Sequence, residues 1–161
     1  MTHEVILAVD PSLRGTGYAI LERQGDQIRT LTYGVVVNPQ TLSIPGCLLA
    51  IHETLEKAVT AHRVSCMAIE SVIYVQSYKT AIVLGSARGA ALLAAARHGL
   101  PVHEYAPRRV KQAVVGRGAA GKHQVAFMVR ALLGLSENPP PDAADAIAIG
   151  LTHFQTRKFA A

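Results

Sequence analysis

The 161-residue sequence predicts one α/β domain built on a mixed β-sheet. Residues 5–9 are all apolar, which is typical of a strand buried on both faces. Two strand-like segments follow after short turns, whereas the next apolar strand comes only after a helical stretch. A crossover of that length returns the chain parallel to its first strand. Half of the residues are hydrophobic, so the composition indicates a globular chain rather than a disordered one.

The elements are predicted in order from periodicity and turn residues. Segments 18–22 and 28–37 are rich in apolar and β-branched residues and flank Gly25-Asp26, which predicts two antiparallel strands. Over residues 47–62 apolar positions recur with helical spacing, which predicts the first helix. The remaining predictions are a strand at 67–70, a helix at 79–98, a strand at 100–105, helices at 107–115 and 122–133, a last helix launched by the prolines at 139–141, and a short tail at 155–161.

Composition also limits the cellular setting. The first apolar run ends at Asp10, and the alanine-rich residues 89–96 are bracketed by Arg88 and Arg97, so we expect a cytoplasmic protein without a membrane partner. Cys47 and Cys66 show no Cys-x-x-Cys spacing and are interpreted as reduced core thiols. The seven histidines are scattered without ligand spacing, so most are interpreted as surface or packing residues.

Four acids occupy positions where elements begin or end. Asp10 and Glu70 end two strands that are predicted to be parallel, so both should lie at the same sheet edge. Asp142 and Asp145 are three residues apart on one face of the last helix. Taken singly, Asp10 also suits a turn before Pro11, Glu70 a solvated strand end, and Asp142 a favourable charge at a helix start. Asp145 is harder to explain, because its helix is otherwise apolar and a buried carboxylate needs a cation.

If the four acids converge, their chemistry is that of a metal site. Clustered carboxylates raise one another's pKa unless divalent cations occupy the site. Mg²⁺ and Mn²⁺ are hard ions that prefer oxygen ligands. Two such ions roughly 4 Å apart would activate a water and stabilise the leaving oxygen in phosphodiester hydrolysis.

The net charge of +5 is concentrated in one segment. Between Tyr105 and Ser136 the sequence has no acidic residue, and this stretch, named here the basic segment, has six basic ones. Such a stripe is typical of a protein that binds nucleic acid or phosphate. The alternative is a solvated helical face, although such faces usually interleave both signs of charge. The six basic residues are Arg108, Arg109, Lys111, Arg117, Lys122 and Arg130.

These motifs together resemble those of the RuvC Holliday junction resolvases, in order from Ile6 to about His153. The resemblance implies an RNase H-like fold, with a five-stranded mixed sheet flanked by helices. It further implies a homodimer that nicks two strands of a four-way DNA junction symmetrically, and it leaves open a branch-migration helicase complex as a further partner. The segments that carry it are LAVDPSLRGTGY at 7–18, AIE at 68–70, GSARG at 85–89, VKQAVVG at 110–116 and DAADA at 142–146.

The resemblance also assigns roles to single residues. It implies that Asp10, Glu70, Asp142 and Asp145 are catalytic acids that bind two Mg²⁺ ions, for which Mn²⁺ is a substitute. Lys111 and Lys122 match the two basic positions that the family uses at the DNA backbone near the cut, and are expected to act in catalysis. Further expected DNA contacts are Arg14, Ile73, Tyr74, Arg108, Arg109 and Arg117.

The loop after Glu70 departs from the family pattern. The family usually carries Phe three residues after the strand-end Glu, where this chain has Ile73 followed by Tyr74. Two residues could take the place of the family's Phe: Tyr74 by stacking on a base, or Ile73 by acting as an apolar wedge.

Gly85 and Gly89 form a small-residue stripe that predicts close helix packing, either within the core or across a dimer contact.

Two other function classes compete with a nuclease. A phosphotransferase of the actin and sugar-kinase class also opens with a strand, an Asp and a Gly-Thr-Gly turn, but it needs a second domain to enclose its nucleotide. A junction-binding module without catalysis is the other alternative. The presence of all four acids argues against it, because an inactive site would be free to lose them.

Overall fold

The central strand of the molecule is β1 (His3–Asp10), whose residues Val5–Val9 are buried. In the computed structural model, which describes residues 2–72, 74–116 and 121–160, the five strands lie in the order β3-β2-β1-β4-β5. β2 (Gly15–Gln24) and β3 (Gln27–Val37) are antiparallel to their neighbours, while β4 (Cys66–Glu70) and β5 (Val102–Tyr105) run parallel to β1. The predicted five-stranded mixed sheet is therefore confirmed.

Helices cover both faces of this sheet. α1 (Ile44–His62) and α2 (Tyr78–Arg97) pack over Leu7 and Val9, whereas α5 (Pro141–Ala160) packs over Ile6 and Ala8 together with α3 (Pro107–Val115) and α4 (Lys122–Leu133). Successive residues of a strand point to opposite faces, so an uninterrupted apolar run supplies both cores at once.

The structure differs from several predicted boundaries, and two of these differences depend on contacts between distant segments. β2 begins at Gly15 instead of residue 18, because Gly17 pairs with Asp10 in the antiparallel register. Residues 155–160, expected as a tail, continue helix α5. Tertiary contacts hold this extension, since Gln155 donates to the carbonyl oxygen of Ala113 at 3.3 Å and Arg109 donates to Thr156 Oγ1 at 3.0 Å.

Helix α2 buries a narrow alanine stripe and exposes the opposite face. A Cβ added at Gly85 or Gly89 would meet no atom within 4 Å, so the glycine stripe does not pack in the core of the described chain. α2 is long and apolar enough to cross a membrane by length and composition alone, which is weak evidence and does not indicate a membrane protein.

Cys47 and Cys66 are buried free thiols, as predicted.

Candidate active site

Three elements bring the predicted acids to one edge of the sheet. β1 and β4 are parallel, with Val9 opposite Ile69, so Asp10 and Glu70 follow at neighbouring strand ends. The start of α5 carries Asp142 and Asp145 to the same edge. The expectation that Asp10 and Glu70 share an edge is confirmed.

Two glycines of β2 let α5 approach this edge. A Cβ at Gly17 would lie 1.8 Å from the carbonyl oxygen of Asp142, far inside van der Waals contact. A Cβ at Gly15 would lie 3.0 Å from the Asp142 carboxylate oxygen Oδ2. Gly15 and Gly17 therefore determine where α5 docks, a role that the sequence analysis did not assign to the Gly-Thr-Gly motif.

Three of the four acids form a tight carboxylate cluster. One carboxylate oxygen from each of Asp10, Asp142 and Asp145 lies within 4.8 Å of the other two, and all three side chains are half-buried. Glu70 stands beside this cluster and lines a cleft of about 220 Å³ with Asp10, Asp145 and Lys111. The structure thus brings the four predicted acids to one place, with Glu70 on the cleft wall.

The pKa of Glu70 reflects its burial close to another acid. The pKa of the Glu70 carboxyl is raised to about 6, chiefly by burial and then by repulsion from Asp145, while the Lys111 ammonium opposes the shift. A nearby cation stabilises the ionised form of such a carboxyl and lowers its pKa. The donor set consists of hard oxygens at short mutual range, which fits a divalent cation of the Mg²⁺ or Mn²⁺ type.

A second, more apolar cleft of about 280 Å³ adjoins the acids. Val72, Tyr74 and Leu84 line it together with Asp10 and Glu70, and the Tyr74 side chain is largely exposed. The wall is held by Arg88 of α2, which donates to the carbonyl oxygen of Glu70 at 2.7 Å and forms a close ion pair with Glu104. Arg88 belongs to the GSARG motif at 85–89, and nothing in the sequence indicated this role at the site.

The residues predicted to contact DNA fall in different places. Lys111 lines the cleft beside the acids, and Arg108 and Arg109 are exposed on the same helix, α3. Lys122 is the first residue of α4, while Ile73 and Arg117 lie outside the described residues.

Arg14, also expected to contact DNA, forms hydrogen bonds within the protein. Its guanidinium group donates to the backbone carbonyl oxygens of Pro39 at 2.6 Å and Leu42 at 2.9 Å. The side chain therefore stabilises the loop before α1. A basic residue in a turn can satisfy nearby carbonyl groups, and the sequence did not distinguish this use from a phosphate contact.

The sheet order, with carboxylates at the ends of its central strands, is typical of the RNase H-like class of metal-dependent hydrolases. The family model for crossover junction endodeoxyribonuclease RuvC matches residues 6–153, and the chain belongs to this family.

Relatives with known sequences and structures agree with this assignment. A RuvC from Akkermansia muciniphila is 54% identical over 149 residues, covering 92% of this chain and 89% of the relative. The structure of T. thermophilus RuvC in complex with a Holliday junction substrate has a TM-score of 0.90 at 34% identity, covering 98% of this chain and 97% of that one. The yeast mitochondrial Holliday junction resolvase shares the fold alone, with a TM-score of 0.64 at 13% identity, covering 98% and 81% of the two chains.

Proposed function

We propose that this protein resolves four-way (Holliday) DNA junctions by Mg²⁺-dependent, symmetric paired nicking. The observation that carries the proposal is the carboxylate cluster of Asp10, Asp142 and Asp145, with oxygens within 4.8 Å, next to Glu70 and Lys111 in a chain of the RuvC family. The T. thermophilus relative, solved with a Holliday junction substrate, supports the same substrate here.

Each acid has a role in this proposal. Divalent cations are bound by Asp10, Asp142 and Asp145 together with Glu70. We expect two Mg²⁺ ions per site, and Mn²⁺ can replace them. When bound, such ions favour deprotonation of a water and neutralise charge at the phosphate. The Lys111 ammonium faces the same cleft and offsets the charge of the DNA backbone near the cut, with Lys122 as the second basic residue.

The basic segment supplies the path of the DNA. Arg108 and Arg109 are exposed on α3 and would bind backbone phosphates, with Arg117 as a further contact. Tyr74 lines the cleft beside the acids and would stack on an unpaired base, and a wedge role for Ile73 is the alternative. Residues 1–161 would act as one nuclease domain in the cytoplasm, as a homodimer, with a branch-migration helicase complex as a further partner.

Cleavage of synthetic DNA tests the catalytic proposal. Purified protein is incubated with a four-way junction and with a linear duplex of matched sequence, in Mg²⁺ or in chelator. We expect paired nicks in the junction only when Mg²⁺ is present. Asp10→Asn should reduce cleavage at least 100-fold because it removes a charged oxygen ligand, and Lys111→Ala should cut poorly while keeping its fold.

The control is Lys57→Ala, which removes an exposed lysine on α1, on the opposite face of the sheet from α3. This variant should cleave like the wild type. Tight binding of the junction without cleavage in any divalent metal would favour the binding module instead. Unimpaired cleavage by Lys111→Ala would remove Lys111 from the site.

A further inference from the structure

A second cluster of metal-binding side chains lies at the other end of the sheet. Glu4 near the start of β1, Cys66 at the start of β4 and His153 in α5 each offer one ligand atom, and the three atoms lie within 4.8 Å of one another. Cys66 and His153 are buried and Glu4 is half-buried. Glu4 is six strand residues from Asp10, so this cluster is roughly 20 Å from the carboxylates.

The spacing of the three ligand atoms resembles three corners of a zinc tetrahedron. Cys66 Sγ is 3.6 Å from His153 Nε2, His153 Nε2 is 3.3 Å from Glu4 Oε1, and Cys66 Sγ is 3.9 Å from Glu4 Oε1. Ordinary zinc bond lengths and tetrahedral angles place sulfur about 3.6 Å from nitrogen, nitrogen about 3.3 Å from oxygen, and sulfur about 3.6 Å from oxygen. Two distances agree with this geometry, and the third needs a shift of a few tenths of an ångström.

The surrounding residues orient these ligands. The Tyr105 hydroxyl is 2.7 Å from Nδ1 of His153, which directs the other ring nitrogen, Nε2, toward the cluster. Arg23 binds the second Glu4 oxygen, Oε2, at 3.2 Å and leaves Oε1 facing the cysteine and the histidine. Hydrogen bonds to the far side of metal ligands are the usual means of fixing their orientation.

We propose that Glu4, Cys66 and His153 form a second metal site that binds Zn²⁺, separate from the acidic active site. Three protein ligands leave the fourth position of the tetrahedron for water. The ligand set selects zinc over magnesium, because thiolate and imidazole are soft or borderline donors that Mg²⁺ does not favour.

Zinc binding must displace a proton from the cysteine. Burial raises the pKa of the Cys66 thiol to about 11, so without metal the thiol keeps its proton. On binding, the sulfur–hydrogen bond is replaced by a sulfur–zinc bond and one proton passes to solvent. The charges of Cys66 thiolate and Glu4 then balance the zinc, while Arg23 and Arg157 nearby disfavour a cation bound without the thiolate.

The site would join the elements that carry the active-site acids. β1 carries Glu4 and Asp10, β4 carries Cys66 and Glu70, and α5 carries His153 and Asp145. Zinc at the far end would therefore stabilise the packing of these three elements without contacting the DNA or the catalytic metal. We expect loss of this zinc ion to lower the thermal stability of the protein more than it lowers the rate of DNA cleavage.

Cobalt replacement tests the proposal on the full-length, metal-free protein. Co²⁺ bound by a thiolate gives sulfur-to-metal charge-transfer absorption, which the all-oxygen active site does not produce. We expect this absorption to saturate with one Co²⁺ per chain, to disappear in Cys66→Ser and to be abolished by an equivalent of Zn²⁺. Cys47→Ser is the matched control, because Cys47 is also a buried free thiol, and it should keep the signal.

Two further variants separate metal binding from a hydrogen-bonding network. Glu4→Gln keeps the shape of the side chain and should weaken Co²⁺ binding at least tenfold. Tyr105→Phe should weaken it by about 10- to 100-fold, because His153 loses its orienting partner. Circular dichroism in chelator checks that each variant folds. Absence of charge-transfer absorption in the wild type, or equal absorption in Cys66→Ser, would overturn the proposal and leave the cluster as hydrogen bonds only.

Discussion

Glu70 is a carboxyl whose ionisation the fold opposes. Its pKa of about 6 lies above the ordinary value of 4.5, chiefly because of burial and then because of Asp145. At a pH between those two values, Glu70 is protonated more often in the folded protein than in the unfolded chain. The free energy of unfolding of the metal-free protein must therefore fall as the pH rises from 4.5 to 6, by at most about 2 kcal/mol from this group.

Glu70→Gln should remove this pH dependence, since the amide does not titrate. Urea denaturation in chelator, compared between wild type and Glu70→Gln from pH 4.5 to 7, isolates the contribution of Glu70. We expect the stability of the wild type relative to the variant to decline with rising pH and to level off above pH 6. Mg²⁺ should reduce the decline because it favours the ionised carboxyl. Parallel curves for the two proteins in chelator would show that the carboxyl is not perturbed.

At the scale of single elements, the contact between β2 and α5 places two acids at the active site. The two elements approach each other more closely at Gly17 than at Gly15. A Cβ added at Gly17 would overlap backbone atoms of Asp142 and Ala143, which cannot rotate away. At Gly15 the nearest atom belongs to a side chain, which can move. The backbone at Gly17 does not have positive φ, so a substitution there tests the contact alone.

Gly17→Ala should therefore destabilise the protein by about 3 kcal/mol and displace the start of α5, with loss of cleavage. Gly15→Ala should cost less, about 1 kcal/mol, since the Asp142 carboxylate can turn aside. Urea denaturation measures the stability of both variants, and junction cleavage measures the position of the acids. Equal stability of Gly17→Ala and wild type would contradict the close docking of α5.

Local patterns predicted most elements but not the contacts between distant ones. The buried strands and the edge shared by Asp10 and Glu70 followed from apolar runs and from the length of a crossover. The start of β2 at Gly15 and the helical residues 155–160 depend on partners elsewhere in the chain. His153 and Cys66 are 87 residues apart, and no ligand spacing could reveal their proximity.

At the scale of the whole molecule, we propose that the exposed face of α2 packs against a second copy of the chain. Ile82 and Leu93 are 53% and 54% exposed on this helix, and Gly85 and Gly89 between them leave open space for a closely packed partner. Arg88 of the same helix binds the backbone of Glu70, so the face is connected to the active site. A two-fold dimer matches the two equivalent strands of a junction.

Leu93→Glu should convert the proposed dimer into monomers, because a charge buried at a self-complementary face meets its own copy or an apolar surface. Sedimentation velocity measures the mass of the particle, and a junction labelled on two strands reports whether the nicks remain paired. We expect monomers whose nicks, if formed, are no longer coupled. Leu132→Glu is the matched control, since Leu132 is 52% exposed on α4, and it should sediment as a dimer. A dimeric Leu93→Glu variant would place the dimer interface away from this face of α2.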